Sequence, residues 1–209
     1  MKKLLASLVL LILAGSLAAA GEAMAAVDPI DDVSLDARVE VAGHFAGSAA
    51  LVKSGYLLTA AHVVGDAKWV GVKLGSGEKY SARVVKADAC KDLALLKINA
   101  TTGAYTLGDE TAYGFYSHGN NTRQSFLVRE GYVVAYGEKI TIRDFDGNPV
   151  STRVRNVFDI AIDPGFSGGA LLDDDGELEG INLGSDQDGL MYAATLSDIR
   201  AFLQEALQK

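Results

Sequence analysis

Cysteine and basic residues are scarce in this chain, and each scarcity removes a class of explanation. Cys90 is the single cysteine among 209 residues, so no internal disulfide can form and an apolar core must sustain the fold. Lys and Arg number 19 against 27 Asp and Glu, a formal charge of −8. A surface of that sign repels nucleic acid and anionic membranes, and neither is expected as a partner. Histidine occurs three times, as His44, His62 and His118, never with a cysteine or histidine neighbour at metal-ligand spacing. No metal or other cofactor is therefore expected, and His44 and His118 read as structural or solvent-facing. Cys90 reads as a buried or half-buried small residue. Three Asp-x-Asp-Gly segments, starting at Asp144, Asp173 and Asp186, lack the glutamate that completes an EF-hand loop, and read as hairpin turns. Internal repeats and low-complexity tracts are absent.

What is present begins with a leader. Lys2 and Lys3 precede an apolar stretch from Leu4 to Ala20 that ends in Ala23-Met24-Ala25. This is the layout of a secretory signal peptide over residues 1–25, cleaved after Ala25, and it predicts a chain exported to the periplasm or beyond. The run falls short of the ~20 residues a spanning helix needs, so no stable membrane insertion is expected after cleavage. Ser16 stands where a lipidated cysteine would be, which argues against a lipid anchor. An exported chain without disulfides fits a bacterial envelope better than an animal secretion.

From Val39 onward the sequence reads as short apolar or alternating runs broken by glycine and aspartate. Val39–Ala42, Gly47–Val52, Tyr56–Thr59, Trp69–Lys73, Tyr80–Ala87 and Leu93–Ile98 form one set. A second includes Gly131–Tyr136, Lys139–Arg143, Phe158–Ile162, Ala170–Leu172, Leu178–Leu183 and Leu190–Thr195. Such spacing predicts a β-barrel or sandwich in each half, residues 26–104 and 105–209, joined through the small residues Thr101-Thr102-Gly103-Ala104. Ile199, Phe202, Leu203 and Leu207 recur at helical spacing behind Ser197, which predicts a C-terminal helix capped by that serine.

Three short segments carry chemistry: Thr59-Ala60-Ala61-His62, Asp92-Leu93-Ala94-Leu95-Leu96, and Gly165-Phe166-Ser167-Gly168-Gly169. A serine hydroxyl becomes a nucleophile when a histidine takes its proton, and a carboxylate holds that histidine in the right tautomer. The pentapeptide also fits the nucleophile elbow of α/β-hydrolases, but there the histidine follows the serine, whereas all three histidines here precede Ser167. The order Asp, His, Ser could draw on Asp28, Asp31, Asp32 or Asp36. Against it, Gly169–Leu172, Asp173–Gly176 and Glu177–Leu183 read as strand, tight turn, strand, where a subtilisin nucleophile would open a helix. The remaining order, His62, Asp92, Ser167, is that of a chymotrypsin-like double barrel.

On these segments, together with Ile162–Leu172 and Gly176–Asn182, the chain resembles a trypsin-like serine peptidase. It is most similar to the protease domain of bacterial HtrA/Deg proteins, here without a PDZ domain. The resemblance implies an all-β fold of two six-stranded antiparallel barrels with a C-terminal helix, and protein or peptide substrates. It implies Ser167 as nucleophile, His62 as general base and then acid, and Asp92 as the orienting carboxylate. Gly165 lets the backbone turn so that its N–H and that of Ser167 converge on a developing oxyanion. Phe166 replaces the aspartate that digestive relatives pair with a newly cut N-terminus, so activation by that route is not expected. Ala161 falls at the floor of the substrate pocket, where an alanine cannot satisfy a buried cation, and Asn182, Leu183 and Gly184 fall on its wall. Small or apolar side chains are therefore expected before the cleaved bond. A fold that keeps these residues but binds without turnover is the alternative.

Overall fold

The computed structural model describes residues 30–143, 149–186 and 188–208. The predicted leader, the Asp144–Gly147 turn and Gln187 lie outside these residues. Six strands close the first barrel: β1 (Asp36–Val41), β2 (His44–Lys53), β3 (Tyr56–Ala60), β4 (Trp69–Leu74), β5 (Lys79–Asp88) and β6 (Leu93–Lys97), in the order β1-β2-β3-β6-β5-β4. Six more close the second: β7 (Gly114–Gly119), β8 (Leu127–Arg143), β9 (Pro149–Asp159), β10 (Ala170–Leu172), β11 (Leu178–Ser185) and β12 (Met191–Ala194), in the order β10-β11-β12-β9-β8-β7. The neighbouring strands run antiparallel, as the resemblance implies.

Unbroken apolar runs mark strands buried on both faces. In β3 and β6, Leu57, Ala60, Ala94 and Leu96 fill the first barrel. Leu58, Leu93 and Leu95 point the other way, into a second cluster shared with Leu172, Leu178 and Ile181 of the other barrel. Each such leucine contributes about 1.5–3 kcal/mol by its burial, so this layer holds the barrels against each other. A third cluster, with Phe115 and Phe158 edge to face at 4.9 Å, fills the second barrel. Helix α2 (Leu196–Leu207) packs Leu196, Ile199 and Phe202 on the interbarrel layer.

A buried polar contact crosses the same boundary. Asp36, at the start of β1, accepts from the Tyr105 hydroxyl at 2.9 Å and pairs with His118 Nδ1 of β7 at 2.7 Å. Burial, and then the Asp36 charge, push the Tyr105 phenol well above its ordinary range. His118 is thus a structural residue, wholly buried.

The strands depart from the sequence reading where polar residues interrupt them. β8 is one strand, not two: register shifts around Ala135–Glu138, with Gly137 at φ 66°, bend it without ending it. β9 begins at Pro149 and ends at Asp159, and β7, with its Tyr116-Ser117-His118 centre, had no apolar run to announce it. The helix cap is Thr195, not Ser197; the Thr195 side chain accepts from the Asp198 N–H at 3.2 Å. Among the described residues no helix is long and apolar enough to cross a membrane.

Candidate active site

His62 sits on α1 (Ala61–Val64), a single turn that follows β3 directly. Ala61, Val63 and Val64 are buried and pin the turn, while the His62 side chain stays 49% exposed. Asp92 clamps this histidine twice. One carboxylate oxygen meets His62 Nδ1 at 2.8 Å, and the other accepts the His62 backbone N–H at 2.9 Å. The Asp92 carbonyl also accepts the Ala61 N–H at 3.1 Å.

Asp92 occupies the left-handed region, φ 56°, a conformation that aspartate tolerates better than most residues. Its loop is held on both sides. Asp88 Oδ1 accepts the N–H groups of Cys90 at 2.8 Å and Lys91 at 3.0 Å, and these bonds hold the Asp88 carboxyl below its ordinary range. Arg155, buried on β9, reaches across to donate to the Lys91 carbonyl at 3.1 Å. Burial lowers the Arg155 pKa, partly offset by the Asp198 and Asp92 charges. Cys90 is exposed, contrary to the sequence reading, because the tight Asp88 turn carries it to the surface.

The Ser167 segment contains two consecutive tight turns. Phe166 N–H donates to the Asp163 carbonyl at 3.1 Å, with Pro164 second in that turn and Gly165 third at φ 108°, the pattern of a type II turn. Gly169 N–H donates to the Phe166 carbonyl at 2.9 Å, with Ser167 second and Gly168 third at φ 86°. Among the described residues neither the Gly165 nor the Ser167 N–H donates to a protein acceptor, so both remain open to a ligand. Phe166 is fully buried against Gly119 and fills its site as a hydrocarbon.

The first barrel braces these turns. Ser48 N–H donates to the Ser167 carbonyl at 2.9 Å, and Ser48 Oγ donates to the Gly165 carbonyl at 2.8 Å. A Cβ on Gly47 would meet both Val63, beside His62, at 2.7 Å and the Ser167 carbonyl at 2.8 Å, so the histidine and serine segments meet at this glycine. Asp163 is tied by Asn121 Nδ2 at 3.1 Å and by Arg129 at 3.5 Å. Sequence reasoning missed Ser48, its partner Asn120 and Arg129, which no local motif marks, and gave no role to Asp163 although it lies in the Ile162–Leu172 segment.

Ser167 Oγ donates to the Leu183 carbonyl at 3.0 Å; no hydrogen bond joins it to His62 among the described residues. Of the expected pocket residues, Ala161 is exposed, Leu183 is half-buried, and a Cβ on Gly184 would meet nothing within 4 Å. Asn182 is fully buried, and its amide donates to the His118 carbonyl at 2.9 Å and the Ala170 carbonyl at 3.3 Å, which makes it a brace between strands. Carboxylates of the Asp173 and Asp186 turns accept their own loop N–H groups, and no three His, Cys, Asp or Glu converge among the described residues.

Comparison with known proteins adds an independent line. The family model of the trypsin-like peptidase domain matches residues 47–181. A probable periplasmic serine endoprotease, DegP-like, of Chlamydia muridarum is 37% identical over 136 residues, 62% of this chain and 26% of that protein. The serine endoprotease DegS of Salmonella typhimurium is 35% identical over 134 residues, 61% of this chain and 36% of that protein. The chain therefore spans well under half the length of these relatives. Among solved structures, the HtrA-type protease AlgW with a decapeptide superposes with a TM-score of 0.73 at 25% identity, over 87% of this chain and 67% of that one.

Proposed function

We propose that this chain, which belongs to the trypsin-like peptidase family, is a serine endopeptidase that hydrolyses peptide bonds of protein substrates through an acyl-enzyme on Ser167. The observation that carries the reading is the double clamp of Asp92 on His62. It leaves the histidine one free ring nitrogen, Nε2, and fixes the tautomer in which Nε2 accepts a proton. Ser167 Oγ turns from the Leu183 carbonyl toward Nε2, gives up its proton and attacks the substrate carbonyl carbon. The N–H groups of Gly165 and Ser167 receive the oxyanion. His62 then returns the proton to the leaving amine, and water repeats the sequence in reverse to free the acid.

The resemblance puts Ala161 at the pocket floor, and a floor without charge would favour small or apolar side chains before the cleaved bond; the fragments of a digested unfolded protein, read by mass spectrometry, check this. A dominant cleavage after Lys or Arg would refute it. Residues 1–25 and the periplasmic names of relatives support export. The test of the reaction is digestion of unfolded casein by the wild type beside Ser167→Ala and His62→Ala. Each variant should lose on the order of a million-fold in turnover, and cleavage by Ser167→Ala at the wild-type rate would end the proposal. One observation favours a second reading, a peptide-binding module without turnover: the Ser167 hydroxyl points its bond at Leu183 and not at His62. Wild-type casein cleavage that is lost in Ser167→Ala excludes that module.

A further inference from the structure

A single row of side chains crosses the outer face of the first barrel, away from the site described above. The strand registers set Trp69 opposite Arg83, Arg83 opposite Lys97, Lys97 opposite Tyr56, and Tyr56 opposite Lys53. Directly paired residues of antiparallel strands project from the same face, so these five form one continuous line, roughly 19 Å long over four strand spacings. Trp69 is 60% exposed at one end, and Arg83, Lys97 and Lys53 are exposed along it.

The charges of this row are uncompensated. Arg83 and Lys97 face each other directly, an arrangement that destabilises a sheet unless an anion lies between them. Neither has a carboxylate partner among the described residues. The Tyr56 ring takes Lys97 Nζ at 5.1 Å and Lys53 Nζ at 5.8 Å, which supplies a π face and no counter-charge. Glu205, which lines a hollow together with Arg83 and Lys97, is engaged with Lys86 at 2.5 Å. In a chain of net charge −8 this is a local inversion of sign. Hollows flank the Arg83–Lys97 ridge on both sides: one of about 190 Å³ beside Trp69, and one of about 560 Å³ that runs to the end of α2.

We propose that this row docks an extended acidic peptide segment of a partner protein, its carboxylates on Arg83 and Lys97 and its apolar flanks against Trp69 and Tyr56. The length suits about six extended residues. A compact anion would use the ridge alone and leave both hollows idle. An anionic bilayer would need a broad basic face, and the surrounding surface of this acidic chain repels it. Tyr56 begins β3, whereas His62 follows its far end, so the docking does not rest on the catalytic reading.

Trp69 is the only tryptophan and reports on its own site. Hexaglutamate titrated into the Ser167→Ala protein at low salt should change the Trp69 fluorescence saturably, and hexaglutamine should not. The exposed pair Arg83→Gln with Lys97→Gln should weaken the binding about ten-fold or more with the far-ultraviolet circular dichroism unchanged, and added salt should weaken it further. The absence of a saturable response, an equal response to hexaglutamine, or an undiminished affinity in the double variant would overturn the proposal. So would saturation by inorganic phosphate or by phosphatidylglycerol vesicles without saturation by hexaglutamate.

Discussion

Replacing Ser48 by alanine removes one oxygen that the nucleophile turn and the first barrel share. Ser48 is 1% exposed, and its hydroxyl donates to the Gly165 carbonyl at 2.8 Å while accepting the Asn120 N–H at 2.9 Å and Asn120 Nδ2 at 3.0 Å. Asn120 Nδ2 keeps a second bond, to the Ala37 carbonyl at 3.2 Å, so the groups stranded in Ser48→Ala are the Gly165 carbonyl and the Asn120 backbone N–H. A buried group left without its partner costs about 1–3 kcal/mol, and the two together imply a loss of roughly 2–6 kcal/mol in stability. The part of that loss carried by the Gly165 carbonyl also loosens the turn that presents the Gly165 N–H. A net hydrogen bond of about 1.4 kcal/mol shifts such a two-state turn ten-fold. In the proposed mechanism the oxyanion contact forms only in the transition state, so kcat should fall about ten-fold with KM nearly unchanged, on a chromogenic peptide at a temperature where the variant is fully folded. Urea denaturation measures the stability term separately. A lowered midpoint with full kcat would show that Ser48 supports the barrel and not the turn, and an unchanged midpoint would refute the reasoning altogether.

Asp92→Asn should fold as the wild type does, yet lose about ten-thousand-fold in kcat, because an amide presents the wrong group to His62 Nδ1; retained activity would move the third role to another carboxylate. Gly168→Ala should destabilise by roughly 3 kcal/mol or more in thermal or urea denaturation. Its Cβ would lie 2.1 Å from the Ser48 carbonyl oxygen and 2.2 Å from Thr59 Oγ1, at a φ of 86° that alanine resists. Tyr105 holds its proton more tightly folded than unfolded, where the pKa is about 10, so its contribution is complete below about pH 10 and lost as pH rises beyond it. Denaturation of Tyr105→Phe across pH 9 to 11 should therefore show a shallower alkaline decline than the wild type.

The parts of this structure that were legible in the sequence are those whose information is local. The β3 and β6 runs stand out because burial on both faces removes polar residues from consecutive positions, and the His62, Asp92 and Ser167 segments stand out because tight turns confine their chemistry to a few adjacent residues. β7 was illegible: its Ser117 and His118 are fully buried polar residues, and His118 is satisfied at Nδ1 by an aspartate 82 positions away. Ser48 braces the Gly165 carbonyl from 117 positions away and lies in an ordinary small-residue strand, so nothing around it marks the role. Asn182 looked like a pocket wall from its neighbours, but its amide is buried between strands. Thr195 rather than Ser197 caps α2 because the helix begins one residue after Thr195, a choice that two hydroxyl residues two positions apart leave undecided until the strand before them is placed.

The central claim, that Ser167 is a nucleophile activated by His62, is tested most directly by covalent labelling. A fluorophosphonate probe incubated with the folded protein should add one adduct, located by peptide mass spectrometry on Ser167 and absent from Ser167→Ala, with labelling in His62→Ala slowed by orders of magnitude. An adduct on another residue, or a folded wild type that stays unlabelled at saturating probe, would contradict it.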